Sequence, residues 1–255
     1  MKLKKNCSSL ILSLSFGAAF AAPIEPAPAP AVGGFEVIGG GGWVNARISD
    51  ASIRVTSDEI DTLARNRGKW DSGIGQLGIG YVGPLVQGSG FFNTLRVQLN
   101  SYFTSDSLSG PVYRFGDPAF NDYNYELSVK STRLMLDGLV DLFSANSFSL
   151  YAKGGIGPSW NRANYSEVDL NGGGCASNPI YLNRDSHAKF AAEAGAGVRF
   201  DISQNMGISL EYLYAHLGKA QTGSGSAASC VSSVTPVNFD LKAQSVIIAL
   251  HYTFA

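Results

Sequence analysis

Two stretches of this chain have the glycine spacing that cradles a dinucleotide pyrophosphate, Gly73-Ile-Gly-Gln-Leu-Gly78 and Gly78-Ile-Gly-Tyr-Val-Gly83. That chemistry needs a strand ending at the motif and a helix opening from it, because the phosphates rest on free N–H groups at the helix start. No amphipathic helix follows either copy, so the glycines read as points of close strand approach and curvature. The three histidines, His187, His216 and His251, have no neighbours at metal-ligand spacing. Neither a metal nor a cofactor is expected. A third group carries charge. Arg96, Arg133, Asp137, Lys153, Glu193, Arg199 and Glu211 fall on the side of their segments opposite the large apolar residues. Gathered in one interior, they would either line a path for small ions or pair into a packed polar core. Cys175 and Cys230 lie in Gly/Ser-rich polar stretches, where oxidation could join them.

The elements that would position these residues alternate with a period of two. Phe91, Leu95, Val97, Leu99 and Phe103 oppose Arg96, Gln98 and Asn100. Phe148, Leu150, Ala152, Ile156 and Trp160 oppose Ser149, Lys153 and Ser159. Phe190, Ala192, Ala194, Ala196, Val198 and Phe200 oppose Lys189, Glu193 and Arg199. Ile208, Leu210, Tyr212 and Tyr214 oppose Ser209 and Glu211, although Leu213 and Leu217 break the polar side. In Ser245 to Phe254, Val246, Ile248, Leu250, Tyr252 and Phe254 share one face. Phe35 to Ile48 and Ser72 to Val82 are read as the first two strands, their alternation blurred by glycine. With Tyr123 to Leu142 the total is eight.

The ends of the chain bear on its compartment. Lys2, Lys4 and Lys5 precede a short apolar stretch from Leu10 to Phe20, and Ala19-Phe20-Ala21 supplies a small-x-small cleavage pattern. Residues 1–21 are therefore expected to be a secretory signal peptide. Residues 22–32, rich in Pro and Ala, read as a stiff spacer, and 33–255 as one barrel domain. Loss of the three lysines leaves 16 basic against 20 acidic residues, a net charge near −4. Such a balance offers no broad cationic field, so nucleic acid is excluded as a partner. Cys7 falls within the signal. Cys175 and Cys230 are then the only cysteines left, in an oxidising compartment where a bridge is expected.

An exported chain without a run of about 20 apolar residues can cross a membrane only as a closed barrel, since only closure satisfies every backbone group in lipid. Its connections alternate. Segments near 49–70, 105–122, 162–186 and 218–239 read as long polar loops, and those near 83–90, 144–147 and 202–206 as short turns. All long loops then emerge at one end. Aromatics gather at both strand ends, where rings suit the two interfaces. Tyr123 to Leu142 changes parity: Tyr125, Leu127 and Val129 are odd, Leu134, Leu136, Val140 and Leu142 even. A one-residue shift exchanges faces. A β-bulge is therefore expected between about 129 and 133, unless the part nearer Tyr123 stands above the membrane.

From about residue 33 to the end, this pattern resembles the eight-stranded opacity and OmpA-type barrels of Gram-negative outer membranes. The resemblance implies an all-β, antiparallel, up-and-down transmembrane barrel with four extracellular loops, inserted in outer-membrane lipid. It implies that Tyr252 and Phe254 form the C-terminal signal read by the barrel assembly machinery, although Ala255 follows them. It also implies a non-enzymatic structural or adhesive role, with a host or extracellular ligand at the loops. Counting inward from the short turns puts Arg96, Asp137, Lys153 and Glu211 at similar depth. Eight strands leave an interior just wide enough for side chains, which favours a packed core over a narrow channel. An outer-membrane lipid-modifying enzyme would need a His-x-Ser pair beside an acid. The sequence reads His187-Ala-Lys, His216-Leu-Gly and His251-Tyr-Thr instead. Only a site assembled from distant strands would serve. Alternation alone leaves open a soluble lipocalin-like carrier with its apolar face turned in.

Overall fold

In the computed structural model, the described residues are 33–49, 51–55, 59–64, 72–85, 91–92, 94–170, 179–227 and 231–254. The expected signal peptide and spacer lie outside them, as do Cys175 and Cys230. Eight long strands make the wall: β1 Gly34–Ile48, β2 Ser72–Pro84, β3 Thr94–Tyr113, β4 Tyr123–Ala145, β5 Phe148–Asp169, β6 Ile180–Asp201, β7 Met206–Gln221 and β8 Asn238–Phe254. Each pairs antiparallel with its sequence neighbours, and β1 pairs with β8 from Phe35↔Phe254 to Ile48↔Leu241. The ring is closed.

The lower half of the wall is turned inside out relative to a water-soluble protein. Leu77, Ile79, Val97, Leu99, Leu136, Ile156, Leu210, Leu250 and their neighbours are exposed around the whole circumference. Arg96, Gln98, Asn100, Asp137, Lys153 and Glu211 are buried inside. A continuous apolar belt of this kind is untenable in water and natural in hydrocarbon.

Higher up, the faces exchange chemistry without exchanging strands. On β3 the outward series Val97, Leu99, Phe103 gives way to Ser105, Ser107, Ser109, while the inward series passes from Arg96, Gln98, Asn100 to Leu108 and Val112. On β4 the inward residues run Asp137, Arg133, Ser131 and then Val129, Leu127, Tyr125, Tyr123. The expected bulge between 129 and 133 is absent: Ser105↔Lys130, Thr104↔Ser131 and Phe103↔Thr132 continue in one register, as does Thr132↔Trp160 on the other side. The parity change is a change of surroundings. A strand crosses the hydrocarbon in about 9–11 residues, whereas β3 to β6 have 20, 23, 22 and 22. Their excess stands above the apolar belt as a second barrel storey with polar outside and apolar inside. Leu213 and Leu217, which break the alternation of β7, are fully buried in this upper core.

This storey corrects the expected loops. Half of 105–122 and most of 162–186 is strand: the first pair of strands ends at Tyr113 and resumes at Tyr123, around the 3-10 turn Arg114–Gly116, and the second ends at Asp169 and resumes at Ile180. Polar outward residues made these segments read as loop, although their inward partners are apolar. The first long connection adds a hairpin, Ala51–Arg54 with Ile60–Leu63, which pairs with the top of β3. The fourth adds Gly225–Ala227, which pairs with the top of β6. At the other end Asn146 turns β4 into β5 with φ 52°, a conformation that Asn tolerates better than most residues.

Val97→Arg and Leu210→Arg should each cost about 2–4 kcal/mol in vesicle-based urea unfolding, because both face the hydrocarbon. Ser107→Arg, outward on the same strand as Val97 but above the belt, should be close to neutral. Similar losses at 97 and 107 would mean that the exchange of faces does not mark the edge of the membrane.

Candidate functional site

The interior of the lower storey holds the charged residues singled out in the sequence, in two groups. At the centre is Lys153 of β5. Its Nζ lies 3.1 Å from Glu211 Oε1, 3.5 Å from Asp137 Oδ2 and 3.9 Å from Glu193 Oε1, and it donates to the Tyr102 hydroxyl at 2.6 Å. Arg133 Nε reaches Glu193 Oε2 at 3.0 Å, and the guanidinium sits 4.2 Å above the Tyr102 ring. Asn100 Nδ2 donates to Asp137 at 2.7 Å. Two cations thus hold three carboxylates, with a phenol and an amide sharing the burden of orientation.

Glycine makes the room for this. A Cβ at Gly155 would overlap the Asp137 carboxylate, and one at Gly78 would overlap the Asn100 amide oxygen. Gly78 is the residue shared by the two dinucleotide-like motifs. Its role here is space in a narrow barrel.

Arg96 and Arg199 do not join the central group. Arg96 pairs with Asp141, and Arg199 lies between Asp201 Oδ1 at 2.7 Å and Glu36 Oε2 at 3.3 Å. Counting residues from the short turns had put Arg96 level with Lys153. The register keeps the two in one row, Arg96 opposite Leu139 and Leu139 opposite Lys153, yet their side chains take different carboxylates. The sequence reading missed Glu36, Asp141, Asp201 and Tyr102. Glu36 sits where glycines blur the alternation of β1. Asp141 sits in an otherwise apolar run, and its inward parity was the one available signal.

Three of the lower residues come together in an order with chemical meaning. Ser209 Oγ and His251 Nε2 are 2.8 Å apart, and His251 Nδ1 lies 3.4 Å from Glu36 Oε2. A hydroxyl, an imidazole and a carboxylate in sequence can activate a nucleophile. Here they come from β7, β8 and β1, a combination no local motif reveals. Their surroundings oppose that use. Ser209, His251 and Glu36 are 4%, 6% and 1% exposed, and Glu36 also accepts from Gln98 at 2.6 Å. Ser209 thus lies within the wall, with little of its surface open.

The upper storey has its own polar cluster. Glu167 accepts from the Tyr165 hydroxyl at 2.6 Å and from the Ile180 backbone N–H at 3.0 Å. Burial outweighs these bonds and lifts its carboxyl to about 7. Asp61, buried beside Glu59, is lifted to about 6 against the pull of the Phe115 N–H and Arg114. Tyr252 and Phe254 of the expected terminal signal are exposed on the outer face of β8, their rings 4.8 Å apart edge to face.

Residues 10–254 match the family model of the outer membrane protein beta-barrel domain. The chain belongs to this family and is an integral β-barrel of the outer membrane. It is similar to the outer membrane protein PagN of Salmonella typhimurium, with 24% identity over 237 residues, 90% of this chain and 92% of that one. Among solved structures it is similar to Ail of Yersinia pestis, at 14% identity and a TM-score of 0.40 over 87% of this chain and 99% of that chain. It is also similar to OprG of Pseudomonas aeruginosa, at 15% identity and a TM-score of 0.43 over 88% and 98%.

Lys153→Met should destabilise the barrel by about 3–5 kcal/mol in vesicle-based urea unfolding, the cost of leaving buried charge without its partner. Adding Glu211→Gln to it should recover part of the loss. The upper cluster gives a pH dependence of definite sign. Glu167 and Asp61 bind protons more tightly folded than unfolded. They therefore stabilise the upper storey below about pH 4, and that contribution is lost as pH rises through about 6 and then about 7. Proteolysis of the upper strands should be faster at pH 8 than at pH 5, with Glu167→Gln reducing the difference.

Proposed function

We propose that this protein is a surface attachment protein whose barrel is a sealed, non-enzymatic anchor for extracellular loops. One observation carries the reading: the interior is filled by ion pairs below and by an apolar core above, while the connections carried on the extended upper strands all leave the same end of the wall. Two chemically different fillings in series among the described residues weigh against passage of a hydrated ion. The burial of Ser209, His251 and Glu36 weighs against hydrolysis.

A cleaved signal peptide over residues 1–21 delivers the chain across the inner membrane. The barrel assembly machinery then reads Tyr252 and Phe254, which lie on the lipid-facing side of the last strand. A Cys175–Cys230 bridge would restrain the third and fourth loops without touching the wall.

Displayed on a non-adherent Gram-negative host, the protein should confer binding to epithelial cells. Replacing the tips of its four long connections by short turns should abolish that binding while leaving the heat-modifiable barrel intact. Reduction should weaken binding if the cysteines are bridged, and thiol titration of unfolded, unreduced protein should find no free thiol. Discrete conductance steps in a planar bilayer, or labelling of Ser209 by a fluorophosphonate, would move the function to a channel or a hydrolase.

A further inference from the structure

The roots of three connections meet inside the upper storey on two buried carboxylates. Asp61, on the hairpin of the first connection, accepts the backbone N–H of Phe115 in the second at 3.2 Å. Glu167, near the top of β5, holds the N–H of Ile180, the first residue of β6, and so closes the base of the third. The links between them are aromatic and polar. The Tyr125 hydroxyl donates to the Ala64 carbonyl just after the hairpin, its ring stacks on Tyr165, and the Tyr165 hydroxyl donates to Glu167. The Leu170 N–H donates to the Asp122 carbonyl at 2.9 Å and joins the third connection to the second. One of these roots is strained. Phe115 stands at φ 53°, a conformation a bulky side chain rarely adopts, so its turn is held by bonds rather than by preference.

The charges of this interior do not balance. Arg114 is already engaged: Glu59 takes its Nε and Nη2 in two hydrogen bonds, and Asp122 lies 3.8 Å from Nη1. Neither Asp61 nor Glu167 is in an ion pair among the described residues. Glu167 feels the charges of Asp61 and Glu59, and Asp61 that of Glu59, which Arg114 offsets only in part. Asp169 follows on the same side of β5, and Tyr123, Tyr125 and Tyr165 are the phenols at this level. Arg54, Tyr181 and Arg184 are exposed on the outside. Burial pushes the Tyr125 phenol up to about 12 and that of Tyr165 higher still, so both stay neutral. A neutral carboxyl still accepts an N–H through its carbonyl oxygen. An ionised one has to be carried in a low-dielectric interior without a counter-charge.

We propose that Asp61 and Glu167 form an acid-closed latch at the upper end of the barrel. Protonated, they bind the roots of the first three connections into one fixed surface; ionised, they let those roots part. The sign follows from burial. In the closed form Asp61 holds its proton up to about 6 and Glu167 up to about 7, whereas either releases it at about 4 once exposed to water. Between those limits only the open form is ionised, so each pH unit shifts a root toward opening about tenfold. The latch stands on the wall and its connections alone. Its consequence, that the loops attach best in mild acid, rests on the attachment reading above.

The test measures amide exchange by NMR on the refolded barrel in lipid nanodiscs at pH 5.5 and pH 7.5. Protection factors are ratios to the unfolded rate at the same pH, so the intrinsic rise of exchange with pH divides out. Protection should fall roughly tenfold at Ile180 and roughly threefold at Phe115, and stay level at Leu210 in the lower storey. Glu167→Gln and Asp61→Asn copy the neutral carboxyl, and each should keep its own amide protected at pH 7.5. Glu126→Gln, which alters an exposed carboxylate on β4, should change nothing. Cells displaying the parent should attach severalfold better at pH 5.5 than at pH 7.5, and the double variant equally well at both. Equal protection at the two pH values in the parent overturns the latch, as does a fall that persists in the double variant. If protection falls while attachment stays the same, the consequence for attachment is overturned. No attachment at either pH would strike the attachment reading, while the exchange result decides the latch by itself.

Discussion

Hydrocarbon offers a peptide group no hydrogen bond, so a chain that crosses it in strands has to return to its own beginning. In this protein that return is the pairing of β1 with β8, and the other features of the wall are arranged around it. Phe35 stands opposite Phe254, which brings the first and last wall residues together at the short-turn end. β1 makes this contact through Gly39-Gly-Gly-Gly42, and a Cβ at Gly42 would overlap the Val246 carbonyl. Gly40 and Gly42 leave the room in which β8 comes close enough to close the ring.

Closure at eight strands fixes a narrow interior that has to be filled. In the hydrocarbon zone the outward face is claimed by lipid, and the inward face receives the charged and amide side chains. Burying an ion costs several kcal/mol, which only good partners offset. Lys153 meets that requirement with three carboxylates and Tyr102, drawn from β3, β4, β6 and β7. Cross-linked from within by these contacts, the wall has little freedom to breathe. Above the belt the outward face meets water instead, and the same strands fill the tube with Leu, Val and Tyr. One set of continuous strands thus spans two media by exchanging the chemistry of its faces.

That construction separates the tasks of the molecule by height. The lower storey anchors, and the upper storey lifts the connections away from the lipid. A loop carried on paired strands is held in position at its base, which reduces the ordering cost of binding a partner. The same rigidity keeps the Ser209–His251–Glu36 constellation shut in.

Much of this was legible in the sequence, because alternation has a period of two and lipid enforces it on every strand. The eight strands, their antiparallel order and the long and short ends follow from where alternation starts and stops. So does the inward side of Arg133, Asp137, Lys153, Glu193, Arg199 and Glu211. What the sequence left open was anything that depends on packing across the ring or on the surroundings of a face. Side-chain packing across the ring gives Arg96 to Asp141 rather than to the Lys153 cluster, and brings Ser209, His251 and Glu36 together from three strands. Surroundings decide that Tyr123 to Val129 continue β4 in register with an apolar interior, where the sequence left open a bulge or a segment standing above the membrane. Local pattern records which side of a strand a residue takes. Only the closed ring decides what that side faces.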